Sequence, residues 1–178
     1  MASTITASTL KITIREDIKL NGVQQGGVNT LEIGSVNEIY KRIVTCPAST
    51  NTTIATFRSA TNVSGSSGTT VEGTPLDLED VKYIRVTNLD DSEHVGLSLK
   101  VDAGEADNAP DESANLLLEA GQSFMMGSPH DGIDVDITAG APTQQAYNLE
   151  DLASIVINTE VASGVATSRD IEIFVASV

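Results

Sequence analysis

Apolar and polar positions alternate with a period of two along most of this chain, the pattern of half-buried β-strands. In "TITASTLKITI", residues 4–14, Leu10, Ile12 and Ile14 alternate with Lys11 and Thr13. "EDIKLNGVQQGGVNTLEIG" follows, β-rich pieces separated by the turn signals Asn21-Gly22 and Gly26-Gly27. "NEIYKRIVTCP" fits a strand or one amphipathic turn. Its β-branched content and the stop at Pro47 favour the strand. "TTIATFRSA" reads as another strand, and "TNVSGSSGTTVEGTP" as a loop rich in Ser, Gly and Thr.

The stretch "KYIRVTNLDDSEHVGLSLKVD", residues 82–102, predicts a β-hairpin. Tyr83, Arg85 and Thr87 point to one side, and Lys82, Ile84, Val86 and Asn88 to the other. Asp90, Asp91 and Ser92 make the turn, because Asx side chains bond their own backbone there. Val95, Leu97 and Leu99 return on one face. "GEADNAPDES" reads as a solvated acidic loop, and "NLLLEAGQSFMMGSP" as two short strands broken at Ala120-Gly121. "GIDVDIT" alternates strictly. "NLEDLASIVINTE" suggests one helical turn before a strand over 155–158, and "RDIEIFVASV" closes the chain as a strand. Short strands at this spacing predict an all-β fold, an antiparallel β-sandwich or barrel. The expected inward faces carry Ile84, Val86, Leu97, Leu99, Leu117, Phe124, Ile155, Ile157, Ile173 and Val175.

Length and composition narrow this further. At 178 residues the default is one domain, residues 1–178, divided into an N-terminal arm and hairpin over 1–47 and a sandwich body over 48–178. With no Trp, three Phe and three Tyr, the core must be aliphatic. No apolar run is long enough to span a membrane as a helix, and "MASTITASTL" lacks the charged and apolar regions of a signal peptide. Cys46 is the only cysteine, which rules out an intrachain disulfide and fits a buried apolar residue. The net charge of −15 is uneven: residues 1–60 hold six Lys and Arg against four Asp and Glu, and residues 61–178 hold four against twenty-one. Nucleic acid is a poor partner for such a surface. The near-neutral first third is the better candidate for contact with another molecule.

Candidate chemistry is sparse. "GSPHDG" places Ser128, His130 and Asp131 together, but without a nucleophile elbow, and triad members usually come from separate elements. His94, beside Glu93, reads as a strand residue rather than a metal ligand. Asp134 and Asp136 share one strand face with Asp131 just upstream. A structural Ca²⁺ is the functional reading of that cluster and a solvated polar face the plain one, and the spacing is not that of an EF-hand. Asp107, Asp111 and Glu112 form a charge run in the acidic loop. There is no phosphate-cradling loop, CxxC motif or dinucleotide fingerprint. These residues predict no catalytic site, no cofactor and no enzyme.

Taken in order, "LKITIREDIKLNGVQQGGVNTLEIGSVNEIYKRIVTCP", "VKYIRVTNLDDSEHVGLSL", "LLLEAGQSFMMG" and the terminal "DIEIFVASV" resemble small structural proteins of tailed bacteriophage virions. The resemblance implies a jelly-roll-like sandwich in which "YIRVTNLDDS" is a strand-and-turn unit, "LEAGQSF" a turn between short strands, and the last strand packs beside them. It also implies a virion component made in the host cytoplasm: a capsid decoration or cement protein, homotrimeric, whose partner is the major capsid protein. A tail- or fibre-associated protein is the alternative in the same class. A carbohydrate-binding sandwich is a third, disfavoured because such modules present exposed aromatic platforms and only Tyr40, Tyr83 and Tyr147 are on offer with no Trp.

Overall fold

The computed structural model describes residues 6–58, 76–77, 80–101, 112–128, 152–159 and 167–178. Every regular element among them is a β-strand. In chain order these are β1 (Ser8–Arg15), β2 (Lys19–Leu20), β3 (Val23–Gln24), β4 (Val28–Val36), β5 (Glu38–Cys46), β6 (Asn51–Arg58), β7 (Leu76–Asp77), β8 (Val81–Asn88), β9 (Val95–Val101), β10 (Glu112–Leu118), β11 (Ser123–Gly127), β12 (Leu152–Asn158) and β13 (Arg169–Ser177). The expected strand at "GIDVDIT", the helical turn before residue 152 and most of the acidic loop lie outside the described residues.

Two sheets pack face to face. One has the order β5-β13-β8-β11 and the other β7-β6-β12-β9-β10. All their ladders are antiparallel except the two-residue β6–β7 pair. Among the described strands the chain changes sheet six times, between β5 and β6, β7 and β8, β8 and β9, β10 and β11, β11 and β12, and β12 and β13. Register places four of them, β5–β6, β8–β9, β10–β11 and β12–β13, at one end of the sandwich, since Arg169 pairs with Cys46, Ile171 with Asn88, and Asn88 N donates to Gln122 O. That connectivity makes the sandwich a double-sheet jelly roll.

The expected hairpin over 82–102 is therefore an arch. β8 pairs with β13 and β11, whereas β9 pairs with β12 and β10. Two strands that each carry one apolar face can bury those faces side by side in a sheet or opposite one another across a sandwich. Alternation is the same in both cases, so only the connection decides. "LLLEAGQSFMMG" behaves likewise, with β10 and β11 in different sheets.

The core is aliphatic. Ile84, Val86, Leu97, Leu99, Ile155, Ile157, Ile173 and Val175 are buried together, joined by Ile54, Phe57, Val95, Leu118, Leu152 and Ile171, and Phe124 is packed against them half-buried. Leu117 is the exception among the expected inward residues, at 56% exposed, while Leu118 faces inward. Three consecutive leucines leave the phase of a period-two pattern undetermined, and a one-residue shift exchanges the faces.

The N-terminal arm is a ribbon formed by β1 to β4. Asn21 (φ 52°) and Gly22 (φ 80°) form its tip, the two positive φ values of a type I′ hairpin turn. One register continues from Leu10↔Ile33 through Arg15↔Val28 to Lys19↔Gln24 and Leu20↔Val23. Backbone hydrogen bonds from Glu16 N to Gly27 O and Gln25 N to Ile18 O bridge the gap between the ladders. β5, although inside residues 1–47, is an edge strand of the sandwich, so the arm itself is Ser8–Val36.

Candidate functional site

Among the described residues, those that suggested chemistry do not converge. Cys46 is fully buried, and burial pushes its thiol pKa up, the environment of an inert core cysteine. The Ser128 amide donates to the Lys82 carbonyl at 3.0 Å. His130, Asp131, Asp134 and Asp136 lie outside the described residues, as do Asp107 and Asp111. His94 is half-buried at the end of the β8–β9 arch. Among the described residues no three His, Cys, Asp or Glu side chains are grouped to hold a metal ion. Tyr83 is buried, and half-buried Tyr40 donates its hydroxyl to the Ile54 carbonyl at 3.3 Å. Neither offers the open ring face on which a sugar would stack.

Polar side chains do converge at the arch end of the sandwich. Asn88, fully buried, donates through its amide nitrogen to the carbonyls of Glu93 (2.8 Å), Leu118 (3.2 Å) and Glu119 (3.2 Å). Its side-chain oxygen accepts from Asp90 N at 3.1 Å. Asp90 Oδ1 accepts from the Ser92 and Glu93 amides at 3.0 and 2.9 Å and from the Ser92 hydroxyl at 3.1 Å. Those bonds, first that from the Ser92 amide, hold the Asp90 carboxyl below its ordinary pKa, with the Arg169 guanidinium assisting. Arg169 is buried at the start of β13. Its Nε is 3.6 Å from Asp90 Oδ2, its Nη2 is 3.7 Å from Glu93 Oε2, and its Nη1 donates to the Thr167 carbonyl at 2.7 Å. The guanidinium thus ties the start of β13 to the β8–β9 arch at one end of the fold. Paired charges of this kind fix geometry more than they add stability.

The second concentration of unusual residues is the arm. Residues opposite each other in a ladder lie on one face, and the continuous register sorts the ribbon into two. One face carries Leu10, Ile12, Ile14, Ile18 and Leu20 opposite Ile33, Leu31, Asn29, Gln25 and Val23. The other carries Lys11, Thr13, Arg15 and Lys19 opposite Glu32, Thr30, Val28 and Gln24. The proximal apolar face sits on the outer side of the β5-β13-β8-β11 sheet, where Ile33 and Val36 are buried with Tyr83 and Ala176, and Leu10, Ile12, Leu31, Phe174 and Val178 pack around them. The Tyr83 and Phe174 rings meet edge to face at 5.9 Å, and the Arg85 guanidinium lies 5.8 Å from the Phe174 ring centre. Arg85 and Lys41 both pair with Glu172 beside them.

Further out, the same face is exposed and packs in neither core cluster of the described residues. Ile14 and Ile18 are exposed, and Leu20 and Val23 are 61% and 59% exposed. Between the arm and the sheet lies a groove of about 160 Å³ lined by Ile12, Ile14, Leu31, Tyr83, Met125 and Gly127. An isolated two-stranded ribbon is marginal in water, so an exposed apolar face on one is an unusual thing for a chain to keep. The sequence reading found the alternation and the Asn21-Gly22 turn but not the amphipathic ribbon. Folding the segment about that turn and pairing residues outward from it would have revealed the apolar face.

No protein-family model, no curated protein and no solved structure matches the chain.

Proposed function

We propose that this chain is a structural protein of a tailed-phage virion: a head decoration or cement protein that binds the lattice of the major capsid protein and stabilises it, as a homotrimer and without catalysis. The observation that carries the reading is the arm. A near-neutral ribbon projects an exposed apolar face from an otherwise acidic chain, the kind of surface that meets another protein. The resemblance carried by "VKYIRVTNLDDSEHVGLSL" and "LLLEAGQSFMMG" supports it, because both segments are arches that build the jelly roll rather than present reactive groups. On a lattice with many identical positions, a weak contact per copy suffices.

The test is mass spectrometry of separated heads and tails from the parent virion. The reading expects the chain in heads at a fixed ratio to the major capsid protein. Finding it only in tails would replace the reading with a tail- or fibre-associated role, and finding it in neither would remove the virion assignment.

A further inference from the structure

We infer that Asn21 is a site of spontaneous covalent modification, losing its side-chain amide through a cyclic imide that the hairpin turn is shaped to form. The inference does not depend on the proposed function. Asn21-Gly22 is the only Asn-Gly pair in the chain. In the reaction the Gly22 main-chain nitrogen gives up its proton and attacks Asn21 Cγ. A bond forms between them, the Cγ–Nδ2 bond breaks, and ammonia leaves with the side-chain nitrogen and the proton. Water then opens the five-membered ring at either carbonyl, which leaves an aspartyl or an isoaspartyl residue. Only solvent water is consumed, and nothing is oxidised or reduced.

Backbone geometry carries the inference. A flat ring eclipses the Gly22 nitrogen with Asn21 Cβ, which sets the Asn21 ψ at about −120°, the value at the first central position of a type II′ turn. That position also needs a φ of about +60°, and Asn21 already has 52°. Types I′ and II′ differ by a rotation of the central peptide. Gly22 must pass from φ 80° to about −80°. Glycine populates both signs, and among the described residues no atom lies within 4 Å of where a Gly22 Cβ would stand. The flip leaves Leu20 and Val23 paired, so the ribbon stays closed while the ring forms. Asn88, fully buried and donating to three carbonyls, has no such freedom.

The two products act differently on the arm. An aspartyl residue keeps the main chain as it was, and Asp-Gly is itself a preferred type I′ pair. An isoaspartyl residue inserts a carbon into the main chain, so the loop no longer joins Leu20 to Val23 in register. Either product adds a negative charge to residues 14–28, where Arg15 and Lys19 balance Glu16 and Asp17.

The test ages the full chain and a synthetic peptide of residues 17–25 side by side in mildly alkaline buffer, followed by peptide-mapping mass spectrometry. The folded chain should gain one mass unit at Asn21 before any other asparagine, at a rate no more than ~10-fold below that of the peptide. Labelling by an isoaspartyl methyltransferase should grow in step with it. Asn21→Gln, whose ring would have six members, should show neither change over the same period. A first mass gain at another asparagine overturns the inference. So does an Asn21 rate more than ~10-fold below the peptide's, the mark of a reaction that waits for the strands to open.

Discussion

The side-chain amide of Asn88 and the main-chain carbonyl of Glu93 meet at 2.8 Å inside the β8–β9 arch, and the same nitrogen reaches Leu118 and Glu119 in the β10–β11 arch. One buried asparagine therefore ties together two crossings of the jelly roll. Replacing it with Ala removes the donor and leaves buried carbonyls unpaired. Asn88→Ala should lower unfolding free energy by about 2–4 kcal/mol, read from denaturant melts. A loss no larger than that of an average surface substitution would mean that the arches hold without it.

Asp90 predicts an acid limit. Its folded pKa is depressed, so its contribution is fully present above the unfolded value near 3.9 and is lost as pH falls through the lower folded value. Glu32, held down by exposed Lys11, acts in the same direction but is screened by salt. Melts between about pH 5 and pH 2 in high salt should show the parent losing stability as it acidifies and Asp90→Asn losing less, from a lower starting point. Parallel curves would assign the acid limit to other carboxylates.

Much of this fold was legible in the sequence, and what was not has a definite cause. Alternation located Ile84, Val86, Leu97, Leu99, Ile155, Ile157, Ile173 and Val175 in the core, because a single buried face imposes a period of two. The same alternation cannot distinguish a hairpin from an arch, and so 82–102 was misread. It also has no phase in "NLLL", where Leu118 rather than Leu117 is inside. The arm needed pairing as well as pattern: Leu20 and Ile12 belong to one apolar face only once the ribbon is closed at Asn21-Gly22.

Gly127 sets the seat of the arm. A Cβ there would lie 3.0 Å from Leu31 Cδ2 and 3.1 Å from Tyr83 Cδ2, so Leu31 on the arm or Tyr83 in the sheet must give way to a larger side chain and the packing between them loosens. Gly127→Val should speed hydrogen exchange at the amides of Leu31 to Ile33 while protection in β12, in the opposite sheet, stays as it was. Unchanged exchange in the arm would show that its seat does not depend on this contact.

With twenty-five acidic against ten basic residues, the chain should melt higher at about 0.15 M NaCl, where the Debye length is about 8 Å, than in salt-free buffer. CaCl₂ and MgCl₂ at matched ionic strength should add nothing further if Asp131, Asp134 and Asp136 are solvated. A saturable rise specific to Ca²⁺ would instead make them an ion site.

The most direct measurement is rebinding of the purified chain to heads from a phage stock that lacks it, followed by cryo-electron microscopy. Saturable binding at symmetry-related lattice positions is expected, with a jelly roll in each added density and heads that withstand more heat than bare ones. Heads that stay bare at saturating protein, or that gain density without gaining stability, would contradict it.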